Sequence, residues 1–124
     1  MIAKAQEVQE RRRGERRKLF DGVAVTDVQS QEPLRLRDVS VDSFSVMSSL
    51  PFQHGAARQI LFSERSGPAV TAIAIVQRCE KWPTEGTARY VVAFGFHSSD
   101  SANRTAFLGF AQSLMRRTAV RPQY

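Results

Sequence analysis

Cysteine is nearly absent: the 124-residue chain carries one, Cys79. A single cysteine excludes an internal disulfide and any thiolate-cluster metal site. Histidine is scarce too, and His54 and His97 stand too far apart in sequence to suggest a histidine-rich metal site. No apolar run approaches the ~20 residues that cross a bilayer, and the opening MIAKAQEVQERRR lacks the apolar segment of a signal peptide. The expectation is a cytoplasmic protein without membrane insertion. There is no glycine-rich phosphate loop, no Ser-His-Asp order with a supporting context and no metal-ligand cluster, so no catalytic residue or metal ligand is assigned. Acidic residues are in deficit, 12 Asp and Glu against 18 Lys and Arg, for a net charge of +6. That excess implies an anionic partner: a phosphate-bearing ligand, nucleic acid or an acidic protein surface.

What is present fits one domain. The 42% hydrophobic content suffices for a single core, and 24% charged residues is ordinary for a soluble protein. Residues 1–18 form a basic arm in which Gly14 and crowded like charges weaken any helix. From Leu19 the texture turns to strands. Phe20–Val28 and Leu34–Arg37 flank the turn Gln29-Ser30-Gln31-Glu32-Pro33, and Ser43–Ser48 alternates so that Phe44 and Val46 share a face. After the break at Pro51 to Gly55 come Ala57–Phe62, Val70–Arg78 and Thr87–Phe96, joined by Ser66-Gly67-Pro68 and Pro83-Thr84-Glu85-Gly86. Six short strands at near-regular spacing predict an all-β-dominated, six-stranded antiparallel barrel rather than an alternating α/β fold. A helix follows. Ser99-Asp100-Ser101 offers N-cap oxygens, and Ala106, Phe107, Phe110, Ala111 and Leu114 form one apolar stripe. The domain reading is therefore arm 1–18, barrel plus helix 19–118, tail 119–124.

Two stretches carry chemistry. Arg11-Arg12-Arg13-Gly14-Glu15-Arg16-Arg17 supplies several guanidinium forks, and Asp38-Val39-Ser40-Val41-Asp42-Ser43 supplies a carboxylate and hydroxyls at an expected loop-to-strand junction. Planar cationic donors suit phosphates and guanine O6/N7, and a carboxylate suits guanine's N–H groups. Alone, the first reads as a solvated basic arm and the second as ordinary turn residues. Cys79 reads as a small buried residue ending an apolar strand, and Trp82 as a cover for the barrel end or a surface for stacking.

In this order, ahead of a barrel-like strand series, the two stretches resemble the motifs of the PilZ domain, the bacterial receptor module for cyclic di-GMP. That family carries R-x-x-x-R and then [D/N]-x-S-x-x-G. Arg13 to Arg17 fits the first element; Arg12 to Arg16 fits as well, and Arg13 with Arg17 is preferred because a strand follows at once. Asp38 to Ser43 fits the second except at its last position, where Ser43 replaces glycine. Weaker echoes are the turn at His54-Gly55, Val76-Gln77-Arg78 at the end of the next-to-last strand, and Ala93-Phe94-Gly95-Phe96 in place of a closing G-x-x-F. The resemblance covers roughly residues 10–115.

The resemblance implies a PilZ-like barrel with a basic arm that binds cyclic di-GMP and passes the signal to an effector protein. Arg12, Arg13 and Arg17 grip phosphates or guanine O6/N7, Asp38 accepts from guanine N1–H and N2–H, Ser40 donates, and Ser43 borders the ligand. Binding orders residues near 10–18 and creates a new surface for the effector, with the ordering entropy lowering affinity. A glycine at position 43 allows an unusual backbone and close ligand approach; a serine forced to positive φ costs about 1–2 kcal/mol, or roughly tenfold in affinity. The alternative implied by that departure is a degenerate PilZ domain that ignores the nucleotide and acts as a protein-interaction module. A nucleic-acid-binding barrel is the other rival. It is argued against because no strand interleaves exposed aromatics with basic residues.

Overall fold

The computed structural model describes residues 22–65, 67–83, 85–97 and 99–120. The arm with Arg12, Arg13 and Arg17, the expected strand start at Phe20 and the end of the tail lie outside the described residues.

Among the described residues six strands and one helix run β1 (Val23–Asp27), β2 (Glu32–Val39), β3 (Phe44–Ser48), β4 (Ala57–Glu64), β5 (Val70–Trp82), β6 (Arg89–Gly95) and α1 (Ser101–Val120). All neighbouring strands pair antiparallel, and the order β1-β2-β3-β6-β5-β4 closes on itself through the β1–β4 pair. Closure removes the exposed edges that an open sheet of this size presents. The expected six-stranded antiparallel barrel with a C-terminal helix is thus the observed fold.

The strand bounds depart from the sequence reading in instructive ways. β2 begins at Glu32, so Pro33 sits inside a strand rather than in the turn. There β2 pairs with β1 through Thr26, whereas its pairing with β3 starts only at Arg35 opposite Met47. A residue without an N–H is tolerated where one side of the strand has no ladder to complete. β2 also runs on to Val39, which puts Asp38 in the strand rather than at a loop junction.

β5 does not end at Arg78. It spans 13 residues, pairing with β4 from Val70 to Ile75 and with β6 from Ile75 to Trp82. A bulge between Val76 and Arg78 marks where the strand changes partner, and such an extra residue bends a strand around a barrel corner. Cys79 is consequently mid-strand and half-buried, with its sulfur facing the Phe52 N–H at 3.4 Å.

Inward residues of all six strands meet in one core, and α1 completes it. Phe107, Ala111 and Leu114 are fully buried and Phe110 nearly so, as the apolar stripe predicted. Phe107 stands 5.2 Å from Phe44, 5.4 Å from Phe62 and 5.1 Å from Phe96 by ring centroid, and Phe44 stacks on Phe94 at 4.9 Å. Asp100 caps the helix by accepting from the Asn103 N–H at 3.2 Å. Asn103 in turn accepts from the Ile73 N–H at 2.7 Å, which ties the first helical turn to β5.

Among the described residues one charge is buried in the barrel. Asp27 is fully enclosed and accepts a bidentate grip from Arg58, whose Nε lies 3.0 Å from Oδ1, and a bond from the Ser30 N–H at 3.1 Å. Burial alone raises its pKa, but the bonds from Arg58 and Ser30 override that and hold the carboxyl below its ordinary value. Ser30 belongs to the β1–β2 turn, where Gln31 adopts φ 60° and donates its N–H to the Asp27 carbonyl at 2.7 Å. The pair therefore fixes a turn as well as a charge.

Candidate functional site

The candidate site lies on the outer face of β2, β3, β6 and β5, and pairing register explains its position. Asp38 opposes Ser45, Ser45 opposes Ala93, and Ala93 opposes Arg78, so these residues form one row across four strands. Two bulges flank the row, one between Leu36 and Asp38 and the other between Val76 and Arg78. A bulge turns an extra side chain onto one face. Here the two extra residues are Arg37 on β2 and Gln77 on β5.

A cleft of about 170 Å³ opens on this surface, lined by Asp38, Val39, Ser40, Ser43, Phe44, Ser45, Gln77, Ala93 and Phe94. Three of the sequence-predicted residues, Asp38, Ser40 and Ser43, thus come together in one place. Ser45, Ala93 and Gln77 join them, and sequence reading had not singled those three out as site residues. Ser45 had read only as part of a strand alternation. Gln77 becomes a lining residue through a long-range register slip that no local pattern encodes.

Hydrogen bonds organise the polar rim. Ser45 Oγ donates to Asp38 Oδ2 at 3.1 Å, which orients the half-buried carboxylate. The β2–β3 turn is closed by the Ser40 N–H donating to the Ser43 carbonyl at 2.9 Å. Across the same turn the Ser40 and Ser43 hydroxyls lie 2.8 Å apart, and Ser40 Oγ also reaches Asp42 Oδ1 at 3.2 Å. Ser43 is not among the residues with positive φ, a set in which Gln31 is the sole non-glycine among the described residues. The condition under which a serine in place of glycine would carry backbone strain, a positive φ, is not met, and the turn closes through hydroxyl and carbonyl bonds. What Ser43 changes is the partner of Ser40.

Among the described residues the lining supplies a carboxylate, hydroxyls and one side-chain amide, with no cation. The described cations nearby are turned to other partners: Arg37 lies over the Trp82 ring at 5.2 Å, and Arg78 pairs with Glu80 at 3.1 Å on an exposed surface. Trp82 therefore backs an arginine. A ligand carrying phosphates needs cations from elsewhere in the chain, and the arginine-rich arm lies outside the described residues. Among the described residues no cluster of three or more His, Cys, Asp or Glu could hold a metal, and no helix is long and apolar enough to cross a membrane.

With this geometry in place the chain can be compared with known proteins. Its structure is similar to that of the Bacillus subtilis inhibitor of motility, MotI/DgrA, with a TM-score of 0.50 at 15% sequence identity over 80% of this chain. The barrel is PilZ-like. The match covers 47% of that other protein, so this chain corresponds to about half of its length. No protein-family model matches the chain, and no curated protein does. The PilZ-like likeness is one of fold, and the placement of Asp38, Ser40 and Ser43 in a single cleft comes from this chain's own strand register.

Proposed function

We propose that this PilZ-like barrel binds cyclic di-GMP in the Asp38–Ser40–Ser43 cleft and regulates a protein partner through the surface it presents when loaded. The observation that carries this reading is the convergence of Asp38, Ser40 and Ser43 on one cleft of the barrel. Asp38, oriented by Ser45, accepts from guanine N1–H and N2–H, and Ser40 donates to the ligand. Arg13 and Arg17 close from the arm to neutralise the phosphates, with Arg12 as the alternative first arginine of the pair. The net charge of +6 favours such a division of labour, as does a described lining that offers a carboxylate, hydroxyls and an amide. The similar barrel belongs to an inhibitor of motility, which suits a role in controlling another protein rather than in catalysis.

Titration calorimetry with cyclic di-GMP, with GMP and cyclic di-AMP as controls, tests the reading. Saturable, guanine-selective binding supports it. A folded protein that releases no heat with cyclic di-GMP overturns it and leaves the adaptor reading, in which the barrel binds a protein partner independently of nucleotide. One observation favours that second reading: Ser40 Oγ is already engaged by Ser43 and Asp42, so a ligand must displace existing bonds.

A further inference from the structure

Gln77 is the one side-chain amide among the described residues that line the cleft, and its position is set by the backbone beneath it. It is the extra residue of the β5 bulge, and its amide lies directly over Gly95 of β6. A Cβ built on Gly95 would stand 2.0 Å from Gln77 Nε2 and 2.5 Å from its Cδ. Gly95 therefore leaves the space that the Gln77 amide fills. No positive φ requires a glycine there, so the side-chain fit is the visible reason for the residue. Phe44 opposes Phe94 at the end of the β3–β6 ladder, so Ser43 and Gly95 are the next residues on the two chains, and Ser40, Ser43 and Gln77 line one cleft. From β2 to β6 is two strand spacings, about 10 Å, room for one purine on edge with a hydrogen bond at each end.

We propose that Gln77 is a specificity-determining residue of the site: its amide, seated on Gly95, donates to the O6/N7 edge of a guanine whose N1–H and N2–H are taken by Asp38. The inference rests on the cyclic di-GMP reading and extends it. The lining pairs an acceptor on β2 with a donor on the β5 side, and guanine offers the complementary order along its edge. Adenine has an amine where guanine has O6 and no N1–H for Asp38, so the two residues together reject it. Gly95 acts through Gln77 as a positioning residue.

The test is a double-mutant cycle on the full chain, read by calorimetric titration with cyclic di-GMP and cyclic di-AMP, with thermal melting to verify folding. Gln77→Leu is expected to weaken cyclic di-GMP binding about tenfold and to narrow its preference over cyclic di-AMP. Gly95→Ala is expected to do the same, because the neighbour that must move is the end of a flexible side chain rather than backbone. Gln77→Leu combined with Gly95→Ala is expected to bind no more weakly than Gln77→Leu alone. Unchanged binding by Gln77→Leu, equal weakening for both nucleotides, or additive losses in the double variant each overturn the assignment while leaving the cleft as the nucleotide site. Failure of the wild-type protein to bind cyclic di-GMP overturns the parent reading, and this inference with it.

Discussion

Ser43→Gly separates two physical accounts of the same position. If serine strains the backbone, glycine relieves it and stabilises the fold. The dihedral at Ser43 is not positive, so no such strain exists to relieve. Glycine instead adds freedom to the unfolded chain, at a cost of about 0.5–1 kcal/mol, which lowers the melting temperature of a domain this size by roughly 3–6 °C. The effect on binding has the opposite sign. The Ser43 hydroxyl lies 2.8 Å from that of Ser40, and an exposed hydrogen bond of this kind contributes a net 0.5–1.5 kcal/mol. Removing it frees Ser40 and clears space for the ligand, so cyclic di-GMP is expected to bind about 2- to 10-fold more tightly. Ser43→Ala is the decisive control, since it removes the hydroxyl without adding backbone freedom. It should show the same gain in affinity and lose only the hydrogen bond's contribution of about 0.5–1.5 kcal/mol, without the backbone cost that glycine adds to it. Calorimetry and thermal melts on both variants test this. A gain confined to glycine, or a fold made more stable by glycine, rules out the hydroxyl and returns the effect to the backbone.

Other perturbations follow from the same structure. Phe107→Ala removes a fully buried ring shared by Phe44, Phe62, Phe96 and Phe110 and is expected to cost about 3–5 kcal/mol in denaturant unfolding. Arg58→Met leaves the enclosed Asp27 carboxylate with Ser30 alone and is expected to cost about 2 kcal/mol, less than a fully buried pair because Arg58 is partly exposed. Asp27 has a folded pKa below its unfolded value of about 3.9, so its contribution is present above that pH and fades as pH falls through it toward the lower folded pKa. Melting curves of wild type from pH 7 to pH 2.5 should show that loss, and Asp27→Asn should flatten the acid limb. Arg13→Ala and Arg17→Ala are each expected to nearly abolish cyclic di-GMP binding while leaving the barrel's melting temperature within a degree or two, since a lone charged side chain of a basic arm adds little to a barrel's stability. Binding retained in both variants removes the arm from the site.

The barrel was legible because its information is local. Alternation in Phe44-Ser45-Val46, turn residues at His54-Gly55, and the stripe from Ala106 to Leu114 each act over a few residues, and the structure keeps all of them. The bounds that shifted depend on partners. Pro33 joined a strand because only one of its sides has a ladder, and Val76-Gln77-Arg78 continued as a bulge because β5 changes neighbour there. The site divides in the same way. Asp38, Ser40 and Ser43 were singled out by their resemblance to a family motif and line one cleft, whereas Gln77 and Gly95 meet only through the register of β5 on β6. The dihedral of Ser43 was not readable from the residue that glycine replaces in the motif. It depends on how the Ser40–Ser43 turn closes, which the hydroxyl and carbonyl bonds decide.

Hydrogen–deuterium exchange of the full chain with and without cyclic di-GMP reports where a ligand acts and so decides whether the cleft and the arm bind it together. The account predicts protection on binding in two separate stretches, residues 10–18 and residues 38–45, with a lesser effect around Gln77 and none at the Asp27–Arg58 turn. Protection confined to other strands, or no change at saturating cyclic di-GMP, contradicts it.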